Sequence, residues 1–346
     1  TQLNKQQKLS QKVKGMPESE VIALNQKVKE QSVFVTAMMN EMNKVVVGQR
    51  DMIEGIVMGL LTGGHILLEG VPGLAKTLTI ATLSKTISLQ FQRLQFTPDL
   101  LPTDLIGTMI FNPKSGEFTA KKGPIFSNIV LADEINRAPA KVQSALLEAM
   151  AEKQVTIGDH SYKLDHPFLV LATQNPLEQE GTYPLPEAQM DRFMFKINVV
   201  YPTKSDELEI INRMGINNRT EINSIISKEQ LLEVSETVDS IYVDQKVKNY
   251  IVDIVMATRE PKLYGLGRFD KIITVGGSPR ASISLIRASK AHAFLRGRGF
   301  VTTEDIKAVI YKVLRHRLIL SYEAEAENLT TDDIIKEIII AVEVGQ

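Results

Sequence analysis

HILLEGVPGLAKT, residues 65–77, decides how this chain folds. Its first half is a short apolar run closed by Gly70, a length and content that suit a strand buried on both faces of a parallel sheet. Its second half, GVPGLAKT (70–77), is a glycine-rich turn ending in Lys76 and Thr77, and helical spacing follows over residues 77–88. Strand, glycine-rich turn and helix in that order are the context a phosphate-binding loop requires. Gly70 and Gly73 let backbone N–H groups turn inward as an anion nest, and the helix N-terminus adds partial positive charge. Lys76 is suited to bridge the outer phosphates of a nucleotide, and the Thr77 hydroxyl to ligate magnesium. Ala75 stands where the usual pattern has Gly; its methyl is a small perturbation at negative φ and costly at a left-handed φ.

Working outward, further short apolar runs occur at 94–96, 129–132, 168–172 and 195–199, with helical stretches such as 77–88 and 141–153 between them. Strands alternating with helices predict a doubly wound parallel sheet. TMIFNPKSGEFTAKKGP (108–124), with Asn-Pro and Ser-Gly turn signals between β-rich flanks, reads as an inserted hairpin, and VTIGDHSYKLDHPF (155–168) as another. Upstream, residues 21–47 carry apolar side chains at helical spacing and predict one or two amphipathic helices, with a further helix at 51–61. Beyond Tyr201-Pro202 helical periodicity dominates, at 205–214, 228–238, 244–258, 279–295, 303–317 and 332–342, around a glycine-containing loop at 260–277. The expected organisation is a loose leader (1–20), an α/β nucleotide-binding domain (21–200) and a smaller all-helical lid domain (201–346).

Composition fits two domains. At 346 residues the chain exceeds the ~250–300 at which one core stops growing. Its 40 basic and 41 acidic residues give a net charge of -1, which offers no overall attraction to nucleic acid or anionic lipid. Cysteine is absent, removing disulfides, thiolate metal sites and a Cys nucleophile, and no run of about 18 apolar residues occurs. A cytoplasmic protein without a transmembrane segment is expected. The five histidines (His65, His160, His166, His292, His316) lack metal-ligand spacing and read as structural or surface residues.

Two further elements join the phosphate loop. IVLADE (129–134) is an apolar strand ending in two carboxylates; Asp133 is suited to hold magnesium through water, and Glu134 to polarise an attacking water. The run at 168–172 leads into Thr173-Gln174-Asn175-Pro176, where the Asn175 amide at a strand tip could orient the same water.

With these three in place the chain resembles an AAA+ ATPase, and more narrowly the MoxR family, from about residue 40 to the C-terminus. The narrowing stretches are GVPGLAKT (70–77), QFTPDLLPTDLIG (95–107), KKGPIF (121–126), LADEINRAPAKVQSALLEAMAE (131–152), ATQNPLEQEGTYPLPEAQMDRF (172–193) and GGSPRA (276–281). The resemblance implies a P-loop NTPase domain with two β-hairpin inserts and a helical lid. It makes Asn175 the sensor 1 residue, Arg192 an arginine finger reaching the neighbouring subunit's γ-phosphate, and Arg280 the sensor 2 residue; Arg137, by its place near the end of the 129–134 strand, is a second, undecided candidate for the trans-acting role. It implies that Val47 and Gly48 lie near adenine, that Gly70, Pro72, Gly73, Leu74, Ala75, Lys76, Thr77 and Leu78 with Asp133 and Arg280 surround ATP, and that Thr77 and Asp133 serve magnesium. Lys76, Glu134, Asn175 and Arg192 are then the catalytic group. It further implies a ring oligomer, a hexamer by resemblance, that remodels, matures or fits metal or cofactor into client protein complexes, with von Willebrand factor A domain proteins as partners.

Two other functional classes share this fold. A nucleic-acid motor of the same fold would carry basic, often aromatic, residues on its hairpins, whereas Lys114, Lys121, Lys122 and Lys163 are mixed here with Glu117, Asp159 and Asp165. A nucleotide-gated scaffold with little hydrolysis is at odds with an intact Glu134.

Overall fold

Ile66, Leu67 and Leu68 have no solvent exposure, because the strand they form is hydrogen-bonded on both sides. The computed structural model describes residues 17–71, 73–114, 116–176, 181–214 and 220–342. Among the described residues two compact units emerge, one within 36–233 and the other within 17–35 together with 234–342.

In chain order the elements are α1 (Glu18–Gln31), α2 (Val33–Met42), α3 (Arg50–Thr62), β1 (Ile66–Glu69), α4 (Lys76–Thr86), β2 (Phe91–Gln95), α5 (Pro102–Ile106), β3 (Gly107–Asn112), β4 (Glu117–Lys122), β5 (Ile129–Asp133) and α6 (Ala140–Glu152). There follow β6 (Gln154–Ile157), β7 (His160–Lys163), β8 (Leu169–Gln174), α7 (Glu187–Met190), β9 (Phe195–Asn198), α8 (Lys204–Met214), α9 (Lys228–Ser240) and α10 (Gln245–Arg259). The chain closes with β10 (Ile273–Val275), α11 (Pro279–Leu295), α12 (Thr303–Leu314), β11 (Ile319–Leu320), α13 (Tyr322–Ala326) and α14 (Thr331–Ala341).

The 36–233 unit holds a five-stranded sheet in the order β2-β5-β8-β1-β9, every pairing parallel. Each strand therefore ends at the same edge, where β1, β5 and β8 deliver Gly70, Asp133 and Asn175. Helix α6 buries Val142, Leu146, Ala149 and Met150, a helical stripe that packs into the core with Val130, Val170 and Phe193. His65 belongs to this frame: its Nδ1 accepts the Val170 N–H at 3.0 Å, so Nε2 carries the proton and donates to the Met150 carbonyl at 3.3 Å. The expected hairpins are β3–β4 and β6–β7, both antiparallel.

The second unit is mainly helical; its two-stranded β10–β11 pair ties the 260–277 loop to the segment after α12. Helix α1 is part of this unit, so residues 18–20 are helix rather than loose leader, and the units part at 35/36 and 233/234 rather than at 200. The physical reason is specific. The Gly299 N–H donates to the Asn25 side chain at 3.0 Å, and Phe34 meets Phe294 with ring centroids 6.3 Å apart. An amphipathic stripe announces a helix without naming its partner.

At the heart of this unit lies Asp305, with no solvent exposure. Its Oδ1 takes hydrogen bonds from Arg298 Nη2 and His292 Nδ1, both at 2.6 Å, and its Oδ2 from Arg298 Nη1 and the Thr302 backbone N–H, both at 2.8 Å, and from Thr302 Oγ1 at 2.9 Å. Burial pushes this carboxyl up, but the His292, Arg298 and Thr302 bonds outweigh it and hold it well below the ordinary 3.8.

Candidate active site

The loop after β1 turns sharply because it passes close to its neighbour strand. A Cβ on Gly70 would sit 2.7 Å from the Val199 carbonyl oxygen, so only Gly fits, and Gly70 N–H donates to Gln174 O at 3.2 Å. Gly73 adopts φ +85, and Ala75 adopts φ 55, ψ 20, the left-handed region where an alanine methyl costs about 1 kcal/mol. Pro72 lies outside the described residues. Helix α4 begins at Lys76 directly behind this turn, so its unpaired N–H groups face the loop.

These elements enclose a cavity of about 360 Å³ at the carboxyl edge of the sheet. Gly70, Gly73, Leu74, Ala75, Lys76, Thr77 and Leu78 line one side, and Arg93, Asp133, Glu134, Thr173 and Asn175 the other. Of the residues singled out from the phosphate loop, the paired carboxylates and the strand-tip amide, all but Pro72 are thus brought together. The half-buried Lys76 ammonium donates to Gly70 O at 2.7 Å. Burial pushes it below the ordinary lysine value, while the Asp133 and Glu134 carboxylates push back.

The carboxylate pair is held by pairings that the sequence reading did not foresee. Thr173 Oγ1 donates to Asp133 Oδ1 at 2.6 Å and accepts the Glu134 N–H at 2.8 Å, so one hydroxyl fixes both members of the pair. Glu134 has φ 57, a conformation uncommon for a residue other than Gly and concentrated at functional sites. Its Oε2 accepts from Arg137 Nη1 at 3.0 Å. Arg93, on β2, reaches Asp133 Oδ2 through Nε at 3.0 Å and Nη2 at 2.6 Å.

Val47 and Gly48 do not line this cavity. They precede a second one of about 270 Å³, bordered by Gln49, Met52, Asn198, Tyr201, Thr203 and Asp206. It lies at the end of β9, the strand paired with β1, so both cavities open at the same sheet edge. Arg192 follows α7, is exposed, and donates through Nη1 to Leu147 O of α6 at 2.9 Å; it does not line the large cavity. Arg280 begins α11 in the other unit, where its N–H is capped by Ser278 Oγ at 3.2 Å.

The residues fit a magnesium nucleotide. Inward-facing main chain, a helix N-terminus and an ammonium suit phosphate; a hydroxyl (Thr77) and a carboxylate (Asp133) on opposite walls supply the hard oxygen donors magnesium takes. Among the described residues no group of three or more His, Asp or Glu is placed to hold a metal ion.

Residues 65–195 match the model for the ATPase family associated with various cellular activities (AAA), and residues 267–338 that for the AAA lid domain. Chaperone MoxR1 of Mycobacterium tuberculosis is 47% identical over 306 residues, covering 88% of this chain and 81% of that one. The chain belongs to the MoxR family of AAA+ ATPases. Protein MoxR of Paracoccus denitrificans is 31% identical over 306 residues, 83% of this chain and 90% of its own. A crystallised candidate ATPase from Cytophaga hutchinsonii superposes with a TM-score of 0.88 at 52% identity, covering 96% of this chain and 100% of that chain. The MoxR assignment accounts for both units, the parallel sheet with its loop and the helical lid.

Proposed function

We propose that this MoxR-type ATPase hydrolyses magnesium-bound ATP in the cavity between residues 70–78 and the 133–134 carboxylate pair, and that turnover drives remodelling of client protein complexes. One observation carries this: Lys76, Thr77, Asp133, Glu134 and Asn175, from a helix and the ends of two strands, line one cavity of about 360 Å³. Bound magnesium, with Thr77 and Asp133 as its protein donors, supplies charge neutralisation for the transferred phosphoryl group. Lys76 and the loop amides orient the phosphates. Glu134, steered by Arg137 and the Thr173 hydroxyl, takes the proton side of the attacking water, and Asn175 orients that water. The chaperone relative supports protein complexes as clients. Val47, Gly48 and Gln49 are assigned to the base, and Arg280 to the sensor 2 role.

Phosphate release from saturating ATP should fall roughly a hundredfold or more in Glu134→Gln while ATP binding persists; equal rates in the two proteins would remove Glu134 from the reaction. Arg192, exposed and outside the large cavity, is the arginine a neighbouring subunit would receive, so the active form is a ring. In Arg192→Ala, turnover should drop about a thousandfold at concentrations where the chain is assembled, with binding intact. Normal turnover there would exclude the trans role.

A further inference from the structure

Asp133 is not idle in this structure. Its Oδ1 is taken by the Thr173 hydroxyl at 2.6 Å, and its Oδ2 by two nitrogens of Arg93. The encounter is built into the sheet. Parallel pairing of β2 with β5 sets Gln95 opposite Asp133, so Arg93, two residues earlier on the same face of β2, lies one step upstream and reaches along the strands to the carboxylate. Arg93 Nη2 also donates to Gln95 Oε1 at 2.9 Å, which aims the fork. The Arg93 side chain is 48% exposed while Asp133 is 15% exposed, so the guanidinium can leave for water at small cost and the carboxylate stays in place. Both line the cavity that contains Lys76 and Thr77.

We propose that Arg93 is a displaceable counter-ion for Asp133: a positioning residue that pairs with the carboxylate and must release it before Asp133 can serve a divalent cation. This rests on the nucleotide reading given above. Two consequences follow from charge alone. Arg93 adds positive charge to a cavity meant for a polyanion, so it strengthens binding of nucleotide without metal. It competes for Asp133, so it weakens the advantage that magnesium confers. A residue that merely braces the sheet would shift both affinities together.

Calorimetric titration of ATP into the full chain, once in excess EDTA and once in magnesium, separates these outcomes. Arg93→Ala should bind ATP about twofold to fivefold more weakly than wild type in EDTA, and its magnesium-dependent gain in affinity should exceed that of wild type by a similar factor, the range that a partly exposed ion pair supports. Arg93→Lys, which keeps the charge and loses the fork, should stand near wild type in EDTA with a gain between the other two proteins. If Arg93→Ala does not fold, the Arg93→Lys comparison carries the same contrast in its magnesium arm. An unchanged gain, or parallel loss in both arms, overturns the counter-ion role while leaving ATP binding standing. Wild type that takes up no ATP in either arm overturns the nucleotide reading and this inference with it.

Discussion

Asp133 and Asp305 are the same chemical group held by the same kinds of partner, a threonine and an arginine, in the two units of the molecule. Around Asp305 the partnership is closed: five hydrogen bonds, no exposure, both oxygens saturated. Around Asp133 it is open. One oxygen is pinned by Thr173, and the other is held by an arginine that is half in solvent and faces a cavity. The difference teaches that a carboxylate is made structural or functional by whether its partners can leave. A saturated buried carboxylate fixes a fold, whereas one with an exchangeable partner is available to a ligand.

The largest expected effect tests the closed side. Asp305→Ala strips Arg298, His292 and Thr302 of a shared acceptor and should destabilise the helical unit by about 3–5 kcal/mol, the cost of breaking a buried pair by removing one partner. Denaturant unfolding followed by circular dichroism reads this, and a loss below 1 kcal/mol would show the network to be dispensable. The same group sets an acid dependence. Because its folded pKa lies below the ordinary 3.8, its contribution is complete above that value and declines as pH falls below it toward the lowered folded value. In Asp305→Ala that segment of the stability curve should flatten.

On the open side the sign of the trade changes. Asp133→Asn should alter stability by less than about 1 kcal/mol, since the amide oxygen still accepts from Arg93 while its NH2 can donate to the Thr173 hydroxyl, yet lower phosphate release by roughly a hundredfold. A stability loss as large as that of Asp305→Ala would erase the distinction between the two aspartates. The smallest effect concerns the loop that faces Asp133. Ala75→Gly should stabilise the 36–233 unit by about 1 kcal/mol, because glycine adopts φ 55 without a Cβ penalty. Thermal unfolding with no gain would place Ala75 at negative φ in solution.

Much of this was legible in the residues because the signals are local. A buried run closed by Gly70, the Lys76-Thr77 pair before a helix, and an apolar strand ending in Asp133-Glu134 each declare themselves within a dozen residues. What the sequence did not declare depends on register and on distant packing. Arg93 and Thr173 each lie 40 residues from Asp133 and meet it only through the pairings of β5 with β2 and β8. The attachment of α1 and the start of α2 to the helical unit shows in an Asn25 to Gly299 hydrogen bond and a Phe34 to Phe294 ring contact, which no periodicity predicts. The left-handed φ at Ala75 was posed by the motif as a question, and only the folded backbone answers it.

The central claim is that a triphosphate rests on the amides of the loop between β1 and α4, facing Asp133. Hydrogen–deuterium exchange of the full chain with and without magnesium ATP tests it most directly. Peptides spanning residues 66–80 and 129–135 should gain protection together on addition of nucleotide, and lose that gain in Lys76→Ala. Exchange in both segments that is unchanged by saturating ATP would contradict it.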